Sequence, residues 1–389
     1  MPKESGAGVT HQSPKVAEFF AGIGLARLGL EQAGFNVIWS NDIEPSKKEM
    51  YEANFEATPE HEFRLADVAE ITPQEIPGEV ELAWASFPCT DLSLAGGRAG
   101  LAGASSGTFW HFTRIIREMG ETRPPVVVLE NVNGLATSHG GRDLAAAVQE
   151  LNDLGYSVDV VTLDARRFVP QSRPRLFMVG SLSAPESQNR SVDELRPAWL
   201  QGIFDDESLR THQAALPKPP APMTGGFGEI VEQFDSGDAR WWDDQRRERF
   251  LESLSPLQAS RLNTLKGDPR VMYRTAYRRT RKGVATWEIR ADDISGCLRT
   301  ARGGSSKQAV VMVGDGKAQV RWMTAREYAR LMGAGDYALE GLRVNQALFG
   351  FGDGVCVPVV AWLAEHYLQP LMAETRALGS ARDLVVSNA

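Results

Sequence analysis

Two apolar runs of this chain end in side chains that can do chemistry. The segment ELAWASFPCTDLSLAGG carries one run into Pro88-Cys89, and PPVVVLENV carries another into Glu130-Asn131-Val132. A thiol is the most nucleophilic neutral side chain, and a lowered pKa makes its thiolate available. A carboxyl at a buried strand edge has a raised pKa, so it can stay protonated near neutrality and donate to a ring nitrogen. One strand end thus supplies a nucleophile and another an acid, a pairing suited to covalent chemistry on an electrophilic ring. The bland alternatives are a buried structural cysteine and a salt-bridged glutamate. Further on, Gln171-Ser172-Arg173-Pro174-Arg175 precedes LFMVGS. Arginines alternating across a strand start place a guanidinium toward such a site, with fixed donors for an exocyclic oxygen; the alternative is a solvated basic face.

A turn that could hold a cofactor comes earlier. Phe20-Ala21-Gly22-Ile23-Gly24 follows one apolar run and opens a helical pattern. Glycines there let a ligand approach the backbone and the helix N-terminus. The third glycine of the dinucleotide fingerprint is replaced by Arg27, and no Gly-Lys-Ser/Thr follows, which excludes a P-loop. The next strand ends in Asn41-Asp42, and an acid there can hold a ribose hydroxyl pair. Asp67, in RLADVAE, either accepts from an adenine amino group or caps a helix. An ordinary tight turn remains the alternative for the glycine motif.

These residues need elements to hold them. VAEFF, FNVIWSND, VELAWASF and PPVVVLENV read as strands, with SVDVVTLDA and RLFMVGSL after them. LARLGLEQA, PSKKEMYEANF, GTFWHFTRIIREMGET and RDLAAAVQELNDLGY read as helices between them. This βαβ rhythm predicts an α/β fold with a mostly parallel, doubly wound, Rossmann-like sheet. We expect a loose N-terminus over 1–14, a first domain over 15–185, an inserted smaller domain over 186–320, and a return segment with a C-terminal helix over 321–372. Residues 373–389 read as a loose tail, and the glycine-rich stretch after Cys89 as a mobile active-site loop. In the inserted domain, RVMYRTAYRRTRKGVATWEIR is dense in arginine with interleaved Tyr and Trp. Arg274, Arg278, Arg279, Arg281 and Lys282 make it a phosphate-contacting surface or a solvated charged loop.

Composition narrows the class. The chain has 389 residues and a formal net charge of −8, so nucleic-acid binding has to come from local basic patches. Its three cysteines, Cys89, Cys297 and Cys356, are too few and scattered for a disulfide framework or a zinc ribbon. No metal is expected. No apolar run approaches the roughly twenty residues of a membrane span, and the N-terminus lacks a signal-peptide core. The scattered cysteines lead us to expect a reducing cytoplasm, and a prokaryotic cell is expected.

Taken together, FAGIG, the Asp42 strand end, Pro88-Cys89, Glu130-Asn131-Val132 and Gln171-x-Arg173-x-Arg175 resemble the DNA (cytosine-5) methyltransferase family in order and spacing. Arg321, Thr324, Arg326 and Glu327 resemble its late Arg-x-x-Thr-x-Arg-Glu motif. The resemblance covers about residues 15–182 and 320–368. It departs at Thr90, where the family usually has Gln, at Leu25, where a small residue is common, and at Gly352-Asp353-Gly354-Val355, usually Gly-Asn-Ser-Val. The resemblance implies an S-adenosylmethionine-dependent methyltransferase sheet with an inserted target-recognition domain. It implies a cofactor lying over Phe20, Gly22 and Gly24, with Asp42 on the ribose and Ile43 beside it. Asp67 would then be near the adenine, Pro88 would shape the nucleotide pocket, and Asp353 would lie at the same pocket. It also implies that Cys89 adds to carbon 6 of a cytosine flipped out of duplex DNA. Glu130 serves ring nitrogen 3, and Arg175, supported by Arg173, serves the ring carbonyl. No base for removing the carbon-5 proton is visible in the sequence. Monomeric action is expected, with cognate restriction or defence components as partners. The alternatives are a tRNA cytosine-5 methyltransferase, a non-catalytic DNA-binding protein on this fold, and a nicotinamide- or flavin-dependent oxidoreductase.

Overall fold

The structure is a computed structural model that describes residues 12–88, 107–281, 283–299 and 307–387. Seven strands form the main sheet: β1 (Lys15–Phe19), β2 (Asn36–Asp42), β3 (Glu62–Leu65), β4 (Leu82–Ala85), β5 (Val126–Asn131), β6 (Ser157–Asp164) and β7 (Pro174–Ser181). Their spatial order is β3-β2-β1-β4-β5-β7-β6. The pairings from β3 across to β5 are parallel. β7 runs antiparallel to both β5 and β6. The connection 165–173 explains this, because a parallel crossover needs a dozen residues or more. Strand order reverses between β1 and β4, and ligands bind at the carboxyl ends of strands beside such a switch point.

Helices cover both faces, as the alternating pattern requires. α1 (Leu25–Gln32) and α2 (Pro45–Glu52) follow β1 and β2. α3 (Thr108–Glu118), the short α4 (Gly134–Thr137) and α5 (Arg142–Asp153) follow β4 and β5. The sheet separates two apolar cores. One holds Leu25, Leu30, Trp84, Val128 and Phe177, and the other holds Phe19, Trp39, Phe112, Leu129 and Val148.

The stretch after β7 is irregular but not detached. Arg196 forks onto Asp159 of β6, and Tyr367 donates to the same carboxylate. Leu195, Ala214, Phe227 and Val231 belong to the first core, and Leu200 and Ile203 to the second. Residues 186–231, including α6 (Phe227–Ile230), therefore strap the edge of the main sheet rather than open a new domain. The smaller unit is built from α7 (Asp244–Glu252), α8 (Pro256–Lys266) and a four-stranded sheet ordered β11-β10-β8-β9. Its strands are β8 (Met272–Arg281), β9 (Val284–Ile289), β10 (Ala309–Gly314) and β11 (Lys317–Trp322), all antiparallel to their neighbours. It has its own core of Trp242, Phe250, Leu262, Trp287 and Val311.

The chain then returns through α9 (Ala325–Leu331), α10 (Val344–Asp353), α11 (Val357–Leu363) and, after one π-helical turn, α12 (Gln369–Ser387). Arg321 and Glu327, both fully buried, join β11 to α9, and Arg321 also donates to the carbonyl of Glu232, just after the strap. Two expectations need correcting here. Residues 373–387 continue the helix, where Arg376 forks onto Glu81. Val344–Leu378 is long and apolar enough to cross a bilayer, by length and composition. It is a core element, however, with Val357, Val360, Leu363 and Leu368 fully buried.

Candidate active site

The glycine turn sits where β1 ends at the switch point. Phe20 and Gly22 both take positive φ, 57° and 59°. A Cβ on Gly22 would meet nothing nearer than the Phe20 carbonyl oxygen at 4.0 Å, so the space above it is open. Gly24 is different: a Cβ there would fall 2.3 Å from the Phe55 ring. Gly22 thus keeps room for a ligand, and Gly24 lets Phe55 close the turn from behind. Asp42 braces the loop, since its carboxylate accepts from the backbone N–H of Gly22 at 2.8 Å and of Glu44 at 2.9 Å. Ile43 beside it is 56 % exposed, an apolar face turned outward at the site. Asp67 accepts from the N–H of Ala69 within a turn, and no helix starts there for it to cap. Asn41 ties the β2 end to β3 by donating to the carbonyls of Arg64 and Ala66.

Arg27, which stands where the dinucleotide fingerprint has its last glycine, is occupied beneath this turn. It donates to the Tyr51 hydroxyl at 3.0 Å and pairs with Glu31. Tyr51 in turn contacts Ser40 and His61, and Ser40 reaches Glu18. Burial pushes the Glu18 carboxyl up to about 8, against the pull of Arg27, and pushes His61 down to about 4.

The acid and one arginine meet at the ends of β5 and β7. Glu130 is the register partner of Phe177, two residues from Arg175, so both side chains lie on one face. The Arg175 Nε stands 2.9 Å from the Glu130 carboxylate. Burial raises the Glu130 pKa, opposed by Arg175, Arg173 and a hydrogen bond from Ser86. Asn131 donates to the Phe87 carbonyl at 3.1 Å, which fixes the β4 end beside β5. Pro88 is therefore held close to Glu130, and Cys89 follows it directly. Cys89 itself, and the loop expected to be mobile, lie outside the described residues.

Arg173 has a different placement from Arg175. It is 2 % exposed, and its guanidinium donates to the carbonyls of Leu298 at 2.8 Å, Gly352 at 3.1 Å and Gly354 at 2.6 Å. It also reaches the Cys297 sulfur at 3.3 Å. Asp164 holds its backbone N–H, and Gln171, fully buried, pins Leu298 and Leu331 from the other side. Gln171 and Arg173 thus form a clasp that binds the 297–298 segment and the 352–354 segment to the main sheet. Burial raises the Cys297 pKa, but Arg173, Arg175 and Arg299 outweigh it, and the net shift is downward. The sequence offered no signal for Cys297, because Arg173 and Arg175 come from a segment more than a hundred residues away.

The two departures in the cofactor motifs find partners. A Cβ on Gly354 would fall 2.6 Å from Leu25 Cδ1, so the small residue at 354 makes room for the large one at 25. Asp353 pairs with Lys47 at 3.2 Å, and the same ammonium stands 4.0 Å from Asp42. Burial lowers the Lys47 pKa, but Asp42 and Asp353 more than reverse this, so the ammonium form is favoured. Lys47 was not picked out by the sequence reading.

The arginine block divides across its sheet. Arg278 is the register partner of Trp287, and Arg279 that of Thr286. Successive residues of a strand face opposite sides. Arg278 therefore shares the face of the helix-covered core with Trp287. Arg279 shares the other face with Tyr277, which donates to Glu288 at 2.9 Å and lies against Gly296, next to Cys297. Arg279 is half exposed and stands 3.7 Å from Glu288. Arg274 is mostly buried and paired with Asp293. Lys282 and the side chain of Arg281 lie outside the described residues. Among the described residues no group of three His, Cys, Asp or Glu could hold a metal.

A family model for C-5 cytosine-specific DNA methylases matches residues 14–369. The type II methyltransferase M.Bsp6I of Bacillus sp. (strain RFL6) is 25 % identical over 363 residues, 92 % of this chain and 99 % of that protein. M.HaeII of Haemophilus aegyptius is 28 % identical, covering 95 % of this chain and 98 % of its own length. The Dnmt2 methyltransferase structure of S. pombe superposes with a TM-score of 0.59 over 92 % of this chain and 99 % of that one, at 16 % identity, a likeness of fold.

Proposed function

This chain belongs to the C-5 cytosine-specific DNA methylase family and is a DNA (cytosine-5-)-methyltransferase that uses S-adenosylmethionine, and from that premise we propose how its residues act. The carrying observation is the Glu130–Arg175 pair, buried where β5 meets β7, with the neighbouring Asn131 bonded to the Phe87 carbonyl one residue before Pro88.

Carbon 5 of cytosine is too weak a nucleophile to take a methyl group unaided. The Cys89 thiolate adds to carbon 6, which turns the ring into an enamine with electron density at carbon 5. Glu130, whose pKa burial raises, donates to ring nitrogen 3 and keeps charge from building there. Arg175 orients Glu130 and gives donors to the ring carbonyl oxygen. Arg173 acts as a positioning residue through the two segments it clasps. When bound, S-adenosylmethionine supplies an electrophilic methyl group. The open space over Gly22, the exposed Ile43 and the Asp42 carboxylate fit this group: Phe20, Gly22 and Gly24 would bed it, and Asp42 would face its ribose. Asp67 and Pro88 would border the base, and Lys47–Asp353 would close the far side.

A ring inside a duplex is out of reach of a strand-end thiol, so the target cytosine is flipped out at a cost of a few kcal/mol. The Tyr277–Arg279–Glu288 face, continuous with the 295–298 segment, is the surface for duplex recognition, with Arg281 and Lys282 from the same hairpin. The type II methyltransferases among the relatives support a restriction-modification role in the bacterial cytoplasm; with it goes action as a monomer beside cognate restriction or defence components. Glu130→Gln tests the mechanism. Single-turnover methyl transfer should fall by about 10²–10⁴-fold, the usual worth of acid–base assistance, while DNA affinity is retained. A rate within twofold of wild type would remove Glu130 from the chemistry.

A further inference from the structure

A cavity of about 260 Å³ opens on the helix-covered face of the smaller sheet. Its walls include Trp242, Trp287 and Trp322, and three arginines reach it, Arg246 and Arg249 from α7 and Arg278 from β8. It lies on the opposite side of the sheet from Tyr277, Arg279 and the clasped 295–298 segment, so the surface assigned to duplex recognition does not include it.

Its chemistry is unusual for a place with no assigned role. No Asp or Glu is among its lining residues. Arg246 stacks over Trp242 at 4.4 Å and over Trp322 at 5.1 Å. Burial and the neighbouring Arg249 hold the Arg246 pKa down, against the pull of Asp243. Arg249 spends its guanidinium on its own helix, at Gln245. Arg246, Arg249 and Arg278 have no carboxylate partner among the described residues. Three like charges line a cavity whose own walls hold no carboxylate, in a protein whose net charge is −8. An anion seated there would complement all three.

The tryptophans narrow the class further. A cation is rejected by the arginines. An inorganic anion makes no use of the indole walls, and an aliphatic acid gains little from flat rings. A planar aromatic ring joined to a phosphate uses both features, because stacking on Trp and charge-assisted bonds to Arg are how unpaired nucleotides are held. A base within a duplex is stacked and cannot enter.

We propose that this cavity binds one nucleotide with an unpaired base, stacked against the tryptophan walls and held through its phosphate by Arg246, Arg249 and Arg278. The shared chemistry is that of a free nucleoside monophosphate and of one unit of a single strand. The site gives the smaller domain a nucleotide contact separate from the duplex face.

Tryptophan fluorescence reads this site directly, because three of the nine tryptophans of the chain line it. The full chain, with S-adenosylmethionine saturating to close the cofactor pocket, is titrated with AMP, inorganic phosphate, a short single-stranded oligonucleotide and a duplex without unpaired bases. AMP and the oligonucleotide should quench saturably, with phosphate at least about tenfold weaker because it lacks the ring. If the single strand is the physiological source, it binds at least tenfold tighter than AMP; equal affinities point to free nucleotide. Arg246→Ala/Arg249→Ala changes two exposed side chains of α7 and leaves the fold intact. It should weaken AMP about tenfold or more, the loss of roughly one charge-assisted contact, and leave duplex methylation unchanged. Absence of saturable quenching, equal binding of phosphate and AMP, or AMP affinity unchanged in the double variant would overturn the proposal. So would a loss seen only in the KM for duplex DNA, which would return these arginines to duplex binding.

Discussion

Replacing Arg173 by Met separates a residue that positions the site from one that touches substrate. Met has similar bulk and no donors. The three carbonyls of Leu298, Gly352 and Gly354 would lose a charged partner in a place water does not reach. Hydrogen bonds to a charged group contribute about 1.5–3 kcal/mol each, so the gross loss is about 5–9 kcal/mol. Relief from burying the guanidinium, several kcal/mol, offsets part of it. The net destabilisation expected is about 2–4 kcal/mol, measured by urea unfolding with the denaturant slope held as a check on two-state behaviour. S-adenosylmethionine affinity should fall as well, because the freed 352–354 segment abuts Leu25 and carries Asp353. Arg173→Lys can reach one of the two segments and should recover less than half of each loss. Unchanged unfolding free energy and cofactor affinity, with methyl transfer abolished, would refute the clasp and make Arg173 a substrate contact.

Other predictions concern the network under the glycine turn and the paired departures. The Glu18 carboxyl sits at about 8 in the fold against 4.5 for an ordinary glutamate, a gap worth roughly 5 kcal/mol. Since the folded value is raised, that stability is complete below pH 4.5 and is lost as pH rises toward 8. Unfolding free energy should therefore decline between pH 5.5 and 8, and Glu18→Gln should flatten the decline; equal slopes would exclude Glu18. Gly354→Ser should cost about 1–3 kcal/mol through overpacking against Leu25, and Leu25→Ala should rescue it in a double-mutant cycle read by urea unfolding. Lys47→Met leaves Asp42 and Asp353 without their shared ammonium and should weaken S-adenosylmethionine binding about tenfold by calorimetry, with partial recovery in Lys47→Met/Asp353→Asn.

The main sheet was legible in the sequence because apolar runs alternate with helical periodicity, and five strand ends at the switch point carry the recognisable side chains. The reversal of β7 was hidden, since a run such as RLFMVGSL reads the same in either direction and only the short connection before it decides. The strap over 186–231 looked like a new domain because side-chain bonds pin it, Arg196 to Asp159 above all, rather than a ladder with a period. Glu130 and Arg175 lie on neighbouring strands, so their meeting follows from the strand pattern once pairing is known. Arg173 reads identically to Arg175 in sequence, yet its partners are backbone carbonyls as far as 181 residues away. Leu25 and Gly354 each looked like a lapse from the family pattern and make sense only as a pair in space. The arginine block read as one surface, whereas the two-residue repeat of β8 sends Arg278 and Arg279 to opposite faces.

The covalent role of Cys89 is the centre of the account. Methyl transfer from labelled S-adenosylmethionine to unmethylated plasmid DNA, run beside Cys89→Ala, tests it most directly. The account predicts label on carbon 5 of cytosine with the wild type, none with Cys89→Ala, and DNA binding intact in both. Label transferred by Cys89→Ala, or carried on another base, would contradict it.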